Sequence, residues 1–214
     1  MLPYTAEVLS TLFEQYNRAI WPAQIIGLAI GIALIALAFS PIRGGGRVIG
    51  LGLAAGWAWT GWVFHFRTLA PMDFSAPVYG AAFLLQAVLL VWAFGIRNAA
   101  SFRVRPDIAG WTGMGLVAFG LIAYPLIAGF AGDGWTSARL FGVAPGPTAM
   151  VTLGLLLLTE SRTPLHLTIV PLLWCLIGGA TAWFLGVAED LLLLPAAIVA
   201  LYVAVRRNRR RATG

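Results

Sequence analysis

The sequence contains no lysine, so all 14 of its basic residues are arginines. A chain without lysine cannot form a Schiff base, which excludes the seven-helix retinal proteins as relatives in function. The only cysteine, Cys175, lies inside an apolar run, so the chain cannot form an internal disulfide and gives no sign of its redox compartment.

Charged residues are also scarce, at 10% of the chain, whereas 60% of the residues are apolar. Soluble domains carry about 25% charged residues. The apolar residues form long continuous runs along the whole length, so the composition indicates an all-α membrane domain and excludes a soluble domain with a single anchor.

Seven apolar segments come close to the length of about 20 residues that a helix needs to cross a bilayer. They are residues 21–40, 47–66, 77–96, 108–130, 144–159, 165–186 and 187–205. The sequence therefore predicts a polytopic transmembrane bundle of seven helices over residues 21–205. Similar residues near the starts of spans one and five and near the ends of spans two and six suggest two parallel three-helix halves joined by a linker helix.

The arginines predict which side of the membrane each loop occupies, because cytoplasmic loops are rich in basic residues. With the C-terminus inside and the N-terminus outside, only Arg18, Arg67 and Arg139 fall in outer loops. Residues 206–214 form a basic cytoplasmic tail, which we expect to contact anionic lipid and not nucleic acid. Its arginines are Arg206, Arg207, Arg209, Arg210 and Arg211.

Residues 1–20 are too polar to cross a membrane but repeat apolar side chains at helical spacing. They predict a short amphipathic helix on the outer surface, with Glu14 and Arg18 paired one turn apart. The predicted location is the inner membrane of a bacterium, as a multi-pass protein.

Polar residues concentrate in the outer half of the predicted bundle, where they could line a cavity open to the outside. The candidate ligand-binding residues are Gln86, His65, Trp62, Thr148, Asp190, Glu14 and Glu189. The alternative is structural: hydrogen bonds between helices and an aromatic belt at the headgroups. The histidines do not have the spacing of a metal site, and no cofactor or metal is predicted.

Two features of the outer end suggest a more specific arrangement. Glu189 or Asp190 could pair with Arg18, Arg67 or His65, although acidic residues at a helix N-terminus are also stabilised by the helix dipole alone. The run Pro145-Gly146-Pro147-Thr148 predicts a non-helical start to span five, because proline lacks a backbone donor and restricts the residue before it.

Residues 57–62 with His65, together with residues 142–148, 171–179 and 186–190, resemble a family of uncharacterised bacterial seven-helix integral membrane proteins. The resemblance runs over nearly the full length, but it implies neither a reaction nor site residues.

Three functions remain open from the sequence. The preferred one is a transporter-like bundle that binds a small molecule or ion in an outward-facing cavity. The alternatives are a membrane-embedded enzyme that uses His65 with outer carboxylates, and a non-catalytic membrane subunit or assembly factor.

Overall fold

The computed structural model describes residues 4–40, 42–130 and 134–213, and in these ranges the protein is all-α. An isolated bridge between Phe102 and Thr159 is the one piece of β-pairing that these ranges contain. The α-helices are α1 (Ala6–Ala19), α2 (Ala23–Phe39), α3 (Gly45–Trp59), α4 (Ala76–Leu90), α5 (Ile108–Ala118), α6 (Tyr124–Phe130), α7 (Pro145–Leu157), α8 (Leu165–Leu185), α9 (Ala188–Leu191) and α10 (Leu193–Thr213). The prediction of an all-α protein is confirmed.

Three stretches have the wider π-helical geometry and continue an α-helix without a break. They are Thr60–Leu69 after α3, Val91–Ile96 after α4, and Phe119–Ala123 between α5 and α6. A π-helical stretch carries an extra residue per turn, and such stretches recur at functional sites. The first of them carries His65.

The first helix, α1, forms where the sequence predicts an amphipathic helix. Thr5 caps it, with its hydroxyl accepting a hydrogen bond of 3.4 Å from the Val8 amide. Its apolar side chains, including Phe13 and Tyr16, are buried against the rest of the protein. The chain then bends by 88° into α2.

Three described helices are long and apolar enough to cross a membrane, whereas the sequence predicts seven. They are Ala76–Ile96, Ile108–Phe130 and Leu165–Leu185, and the number rises to four if the bent pair α1 and α2 counts as one span. These three helices match predicted spans three, four and six closely. By length and composition, the expected count of seven membrane-spanning helices is therefore wrong for the described residues.

The other predicted spans fall short for different physical reasons. Helix α7 has 13 residues, or about 20 Å at 1.5 Å per residue, against a hydrocarbon core of about 30 Å. The predicted span 187–205 is interrupted at Leu192, between α9 and α10, and α10 runs on through the arginine-rich tail to Thr213. Helix α2 has 17 residues, and the predicted span 47–66 divides between α3 and the π-helical stretch after it.

Helix α7 is the centre of the fold, since every one of its residues is buried. It packs closely on α5 because both helices have glycine at the crossing point: a Cβ built on Gly154 would lie 2.6 Å from the Gly113 carbonyl oxygen. On another side, the Trp57 indole of α3 donates a 2.8 Å hydrogen bond to the Thr152 hydroxyl. The central position of α7 places its first residues, Pro145 and Gly146, in the middle of the candidate site.

The expected non-helical start at Pro145–Thr148 is wrong, because α7 begins at Pro145 itself. The first amides of a helix have no partner within the helix, so prolines in the first turn remove no hydrogen bond. The Thr148 hydroxyl accepts a 2.9 Å bond from the Gly142 amide and donates a 2.7 Å bond to the Ala144 carbonyl, which ties this turn to the preceding loop.

Candidate functional site

A buried group of charges lies at the start of α7, and we call Arg139, Glu189, Asp190 and Tyr124 the Arg139 cluster. Arg139 is only 4% exposed and donates a hydrogen bond from Nη1 to Asp190 Oδ2. The same nitrogen lies 3.4 Å from Glu189 Oε1. Two carboxylates thus face one buried guanidinium, so removal of Arg139 would leave buried negative charge uncompensated.

Tyr124 and Phe13 complete the surroundings of this ion pair. The fully buried Tyr124 hydroxyl donates a hydrogen bond to Asp190 Oδ1, so both oxygens of that carboxylate have a donor. The guanidinium carbon of Arg139 lies 4.5 Å from the centre of the Phe13 ring of α1, within the range of a cation–π interaction. The cluster therefore connects α1, α6, α9 and the loop before α7.

Gly146 is the point at which α7 approaches the cluster. A Cβ built there would collide with the Tyr124 hydroxyl and would lie 3.1 Å from Asp190 Oδ1. A glycine between the two prolines is therefore needed for space, since it admits the hydroxyl and the carboxylate next to the backbone.

A cavity of about 80 Å³ adjoins the Arg139 cluster. Its wall combines aromatic rings with charged groups, which are Tyr4, Phe13, Phe64, Tyr79, Trp174, Asp73, Arg139 and Asp190. A single water needs roughly 10–15 Å³ of such volume, so the cavity has room for several waters or one small molecule. We call it the aromatic cavity.

Asp73 supplies the second carboxylate of the aromatic cavity. It is 6% exposed, and its Oδ1 accepts a 2.8 Å hydrogen bond from the Ser75 amide just before α4. Burial, and then the negative charge of Asp73, raise the pKa of Tyr4 to about 12. The Tyr4 phenol therefore stays protonated at neutral pH and serves as a donor beside the Asp73 carboxylate.

His65 lies one ring behind the wall of the aromatic cavity. It is fully buried, and its ring centre lies 5.1 Å from that of Trp174, 4.7 Å from that of Phe83 and 5.9 Å from that of Tyr79. Neither of its ring nitrogens has a hydrogen-bond partner among the described residues, and the Trp174 indole nitrogen has none there either. Buried polar atoms are normally paired, so these three nitrogens stand out.

The other predicted site residues lie away from the aromatic cavity. Gln86 is fully buried and donates a 2.8 Å hydrogen bond to the Leu167 carbonyl, so it links α4 to α8. Glu14 forms the expected pair with Arg18, at 2.6 Å on the surface of α1. Trp62 is 53% exposed on the outside of the bundle. Of the candidates, the structure brings Asp190 and Glu189 together, with His65 behind the adjoining cavity.

Sequence reasoning did not select Arg139, Asp73, Tyr124 or Trp174 as site residues. The partner of Asp190 and Glu189 is Arg139, and not Arg18, Arg67 or His65 as expected from the sequence. One signal was available, since Arg139 is among the few arginines assigned to the same side as the two acids. In the described ranges no group of three histidine, cysteine, aspartate or glutamate side chains could hold a metal ion.

Comparison with known families assigns the chain to one of them over nearly its whole length. The model of DUF6064, a family of unknown function, matches residues 6–214. The chain belongs to the DUF6064 family. No curated protein and no solved structure matches it significantly. Family membership therefore supplies no activity, and a functional argument has to come from the Arg139 cluster and the aromatic cavity.

Proposed function

We propose that this protein is a multi-pass membrane protein that binds a small ammonium-type cation in the aromatic cavity, as a transporter-like bundle. The proposal places the cavity end on the outer side of a bacterial inner membrane and the arginine-rich tail in the cytoplasm. Support for embedding comes from the three long apolar helices. Support for the orientation comes from the five arginines of the C-terminal tail, since cytoplasmic segments are rich in basic residues.

The observation that carries the choice of ligand is the wall of the aromatic cavity. Aromatic faces attract cations, most strongly where water is excluded. Asp73 and Asp190 line the same space, and Glu189 lies just behind it. Burial raises the pKa of Asp190 to about 7, and a cation bound beside it would favour the charged form of this carboxylate.

The small volume restricts the ligand class. At about 80 Å³ the aromatic cavity suits ammonium or a singly methylated ammonium and is too small for a nucleotide or a sugar. Arg139 already faces two carboxylates and the Phe13 ring, so it is poorly available for an anionic ligand.

Thermal unfolding of the detergent-purified protein tests this assignment. We expect ammonium and methylammonium chloride to raise the midpoint relative to sodium chloride at the same ionic strength. A ligand at 100 times its dissociation constant stabilises the native state by about 2.7 kcal/mol. Asp73→Asn, which retains an acceptor for the Ser75 amide, should abolish this shift.

Glu14→Gln is the matched control, since it neutralises a carboxylate on the surface of α1, and it should respond like the wild type. An equal response in Asp73→Asn would overturn the proposal, as would stabilisation by small carboxylate or phosphate ions in place of the ammonium series. Uptake of labelled methylammonium into vesicles then separates transport from binding alone.

The orientation has its own test. Single cysteines at Ser10 and at Arg209, in a Cys175→Ser background, should react with a membrane-impermeant thiol reagent from opposite sides. Labelling of both positions from the same side of intact cells would refute the proposed topology.

The proposal also includes contact between the tail and anionic lipid, made by the arginines other than Arg207. Arg207 points inward and is only 9% exposed. It donates hydrogen bonds to the Leu157 carbonyl at 3.0 Å, the Ser161 carbonyl at 2.7 Å and the Thr163 hydroxyl at 3.0 Å. Burial first, and then the neighbouring charges of Arg105 and Arg211, lower the pKa of Arg207 to about 10, which leaves it charged at neutral pH.

The groove for this lipid contact has a volume of about 510 Å³ and contains Arg206, Arg210 and Trp111 in its wall. We expect nanodiscs with phosphatidylglycerol to stabilise the protein more than phosphatidylcholine nanodiscs do. The double variant Arg206→Gln with Arg210→Gln should remove that difference, and a difference unchanged in the double variant would contradict the contact.

A further inference from the structure

A second cavity of the described structure shares none of its lining residues with the aromatic cavity. It is a cleft of about 1060 Å³ between α2 and the continuous helix Ile108–Phe130. The two helices approach each other at Gly31, where a Cβ would lie 2.6 Å from Leu121 Cδ2. The cleft runs along α2 from Gln24 to Phe39.

The walls of this cleft are apolar along almost all of their length. Ile25, Ile32 and Phe39 line it from α2 and are each more than half exposed, as is Ile122 from the facing helix. The run from Gln24 to Phe39 is about 22 Å long at 1.5 Å per residue. One leaflet of the hydrocarbon core is about 15 Å deep, half of the roughly 30 Å total, so the cleft is long enough for an acyl chain.

Among the described residues that line this cleft, the polar ones, Asn17, Arg18, Gln24 and Thr136, lie at its α1 end. Arg18, Asn17 and Gln24 lie there, around the bend between α1 and α2. The Asn17 amide nitrogen is occupied by the carbonyls of Thr136 and Ala138, at 2.9 Å each. The Arg18 guanidinium is 73% exposed and pairs with Glu14 at 2.6 Å, in a surface pair of the kind that contributes little to stability.

Gln24 provides the second, independent sign of a ligand at this end. Gln24 is 7% exposed, and its Nε2 donates a 2.5 Å hydrogen bond to the Asn17 carbonyl. Its Oε1 is buried and has no hydrogen-bond partner among the described residues. A buried acceptor left in this state is unfavourable unless a donor reaches it.

We propose that this cleft holds one phospholipid, with an acyl chain along α2, its phosphate at Arg18 and a headgroup donor on Gln24 Oε1. The ligand is then a phospholipid whose headgroup carries an N–H or O–H group, as in phosphatidylethanolamine. This inference rests on the membrane embedding of the proposed function, and it is independent of the cation in the aromatic cavity.

Native mass spectrometry of protein extracted in mild detergent tests it. The wild type should carry one phospholipid per chain. Ala118→Trp should lose that mass, because Ala118 is exposed in the wall of the cleft and a Trp there would fill it. Ala180→Trp is the matched control, since Ala180 is exposed on α8 away from the cleft, and it should retain the lipid.

Reconstitution tests the headgroup contact. The wild type should select phosphatidylethanolamine over phosphatidylcholine, whose headgroup has no donor, and Gln24→Leu should select neither. Equal lipid retention in Ala118→Trp and the wild type would overturn the inference, and so would a dimer that Ala118→Trp converts to monomer without loss of lipid.

Ammonium-dependent stabilisation of the same Ala118→Trp sample separates the two proposals. Wild-type protein that is found in the membrane fraction and responds to ammonium but carries no phospholipid refutes the lipid site alone, whereas the same behaviour in Ala118→Trp supports it. A protein absent from the membrane fraction refutes the proposed function.

Discussion

Arg139 and Asp190 are 51 residues apart in the chain and form a buried ion pair that joins the loop before α7 to α9. Glu189 shares the same guanidinium, and the Tyr124 hydroxyl holds the far oxygen of Asp190. The pair is one wall of the aromatic cavity. Its integrity should therefore control both the stability of this end of the protein and the binding proposed there.

Arg139→Ala should be among the most damaging single changes in the protein. Removing one partner of a buried pair typically lowers stability by 3–5 kcal/mol, because the other charge stays buried and unpaired. Asp190→Asn should be milder, since Glu189 remains beside Arg139. Thermal and denaturant unfolding in detergent measure which of the two variants loses more stability.

The surface pair between Arg18 and Glu14 is the natural control for that series. Arg18→Ala should lower stability by at most about 1 kcal/mol, because exposed pairs are screened by water and salt. If Arg139→Ala proved no worse than Arg18→Ala, the buried cluster would not have the energetic importance assigned to it here.

Gly146→Ala should destabilise the protein because its new methyl group meets the Tyr124 hydroxyl. Inserting a methyl group into a packed site typically lowers stability by about 1–3 kcal/mol. Tyr124→Phe removes the oxygen that the methyl group would strike, so the double variant should lose less stability than the sum of the two single changes. The unfolding midpoints of the wild type, the two single variants and the double variant form a double-mutant cycle.

Gly115→Ala controls for the general effect of alanine in a helix. A Cβ at Gly115 meets nothing within 4 Å, and the position lies within α5. That change should be neutral or stabilising by up to about 1 kcal/mol. A loss of stability at Gly115 as large as that at Gly146 would show that the Tyr124 contact is not the cause.

The sequence predicted the class of the fold well but overestimated the number of spans. Hydropathy identifies the helices Ala76–Ile96, Ile108–Phe130 and Leu165–Leu185, because each is one uninterrupted apolar run. It cannot distinguish an apolar helix in lipid from one such as α7, which is covered by protein on all sides. Both environments favour the same residues, so the burial of a 13-residue helix follows only from tertiary packing.

The candidate site was partly predictable for a related reason. Charge identified Asp190 and Glu189, since adjacent acids beside an apolar run are rare in this chain. Their partner Arg139 lies in a separate loop, and nothing local to residues 135–140 marks it as buried. Gly146 was noted for backbone geometry, whereas its role is to leave space for a side chain of α6.

Asp107 should make the stability of the protein depend on pH in the acid range. Partial burial raises its pKa, but hydrogen bonds from the Gly110 amide and from Arg105 outweigh that effect, so the pKa lies below its ordinary value. A lowered carboxylate pKa contributes stability that is present above the unfolded pKa of about 3.9 and is lost as the pH falls through the folded pKa.

Comparison of the wild type with Asp107→Asn across pH isolates that contribution. Asparagine retains a cap for α5, so the variant should be less stable at pH 7 by a small margin that begins to shrink below about pH 4 and disappears once the pH is below the folded pKa of Asp107. Asp107→Ala should lower the stability by about 0.5–2 kcal/mol even at a pH where the charge of Asp107 contributes nothing, because the cap itself is removed. A gap between wild type and Asp107→Asn that persists unchanged in acid would contradict the role of the charge.

His65→Phe tests whether the buried histidine acts as a polar group or as an aromatic ring. The ring packs among aromatic side chains, and its two nitrogens have no partner among the described residues. Replacing such a group with an apolar one of the same shape is close to neutral or stabilising. We therefore expect the unfolding midpoint to stay the same or rise, and the ammonium-dependent shift to persist, because His65 lies behind the cavity wall.

His65→Ala should instead destabilise the protein by about 3–5 kcal/mol through the space it leaves. If His65→Phe folds normally but loses the ammonium response or a cellular phenotype, the imidazole nitrogens take part directly in function, and the membrane-embedded enzyme becomes the better interpretation.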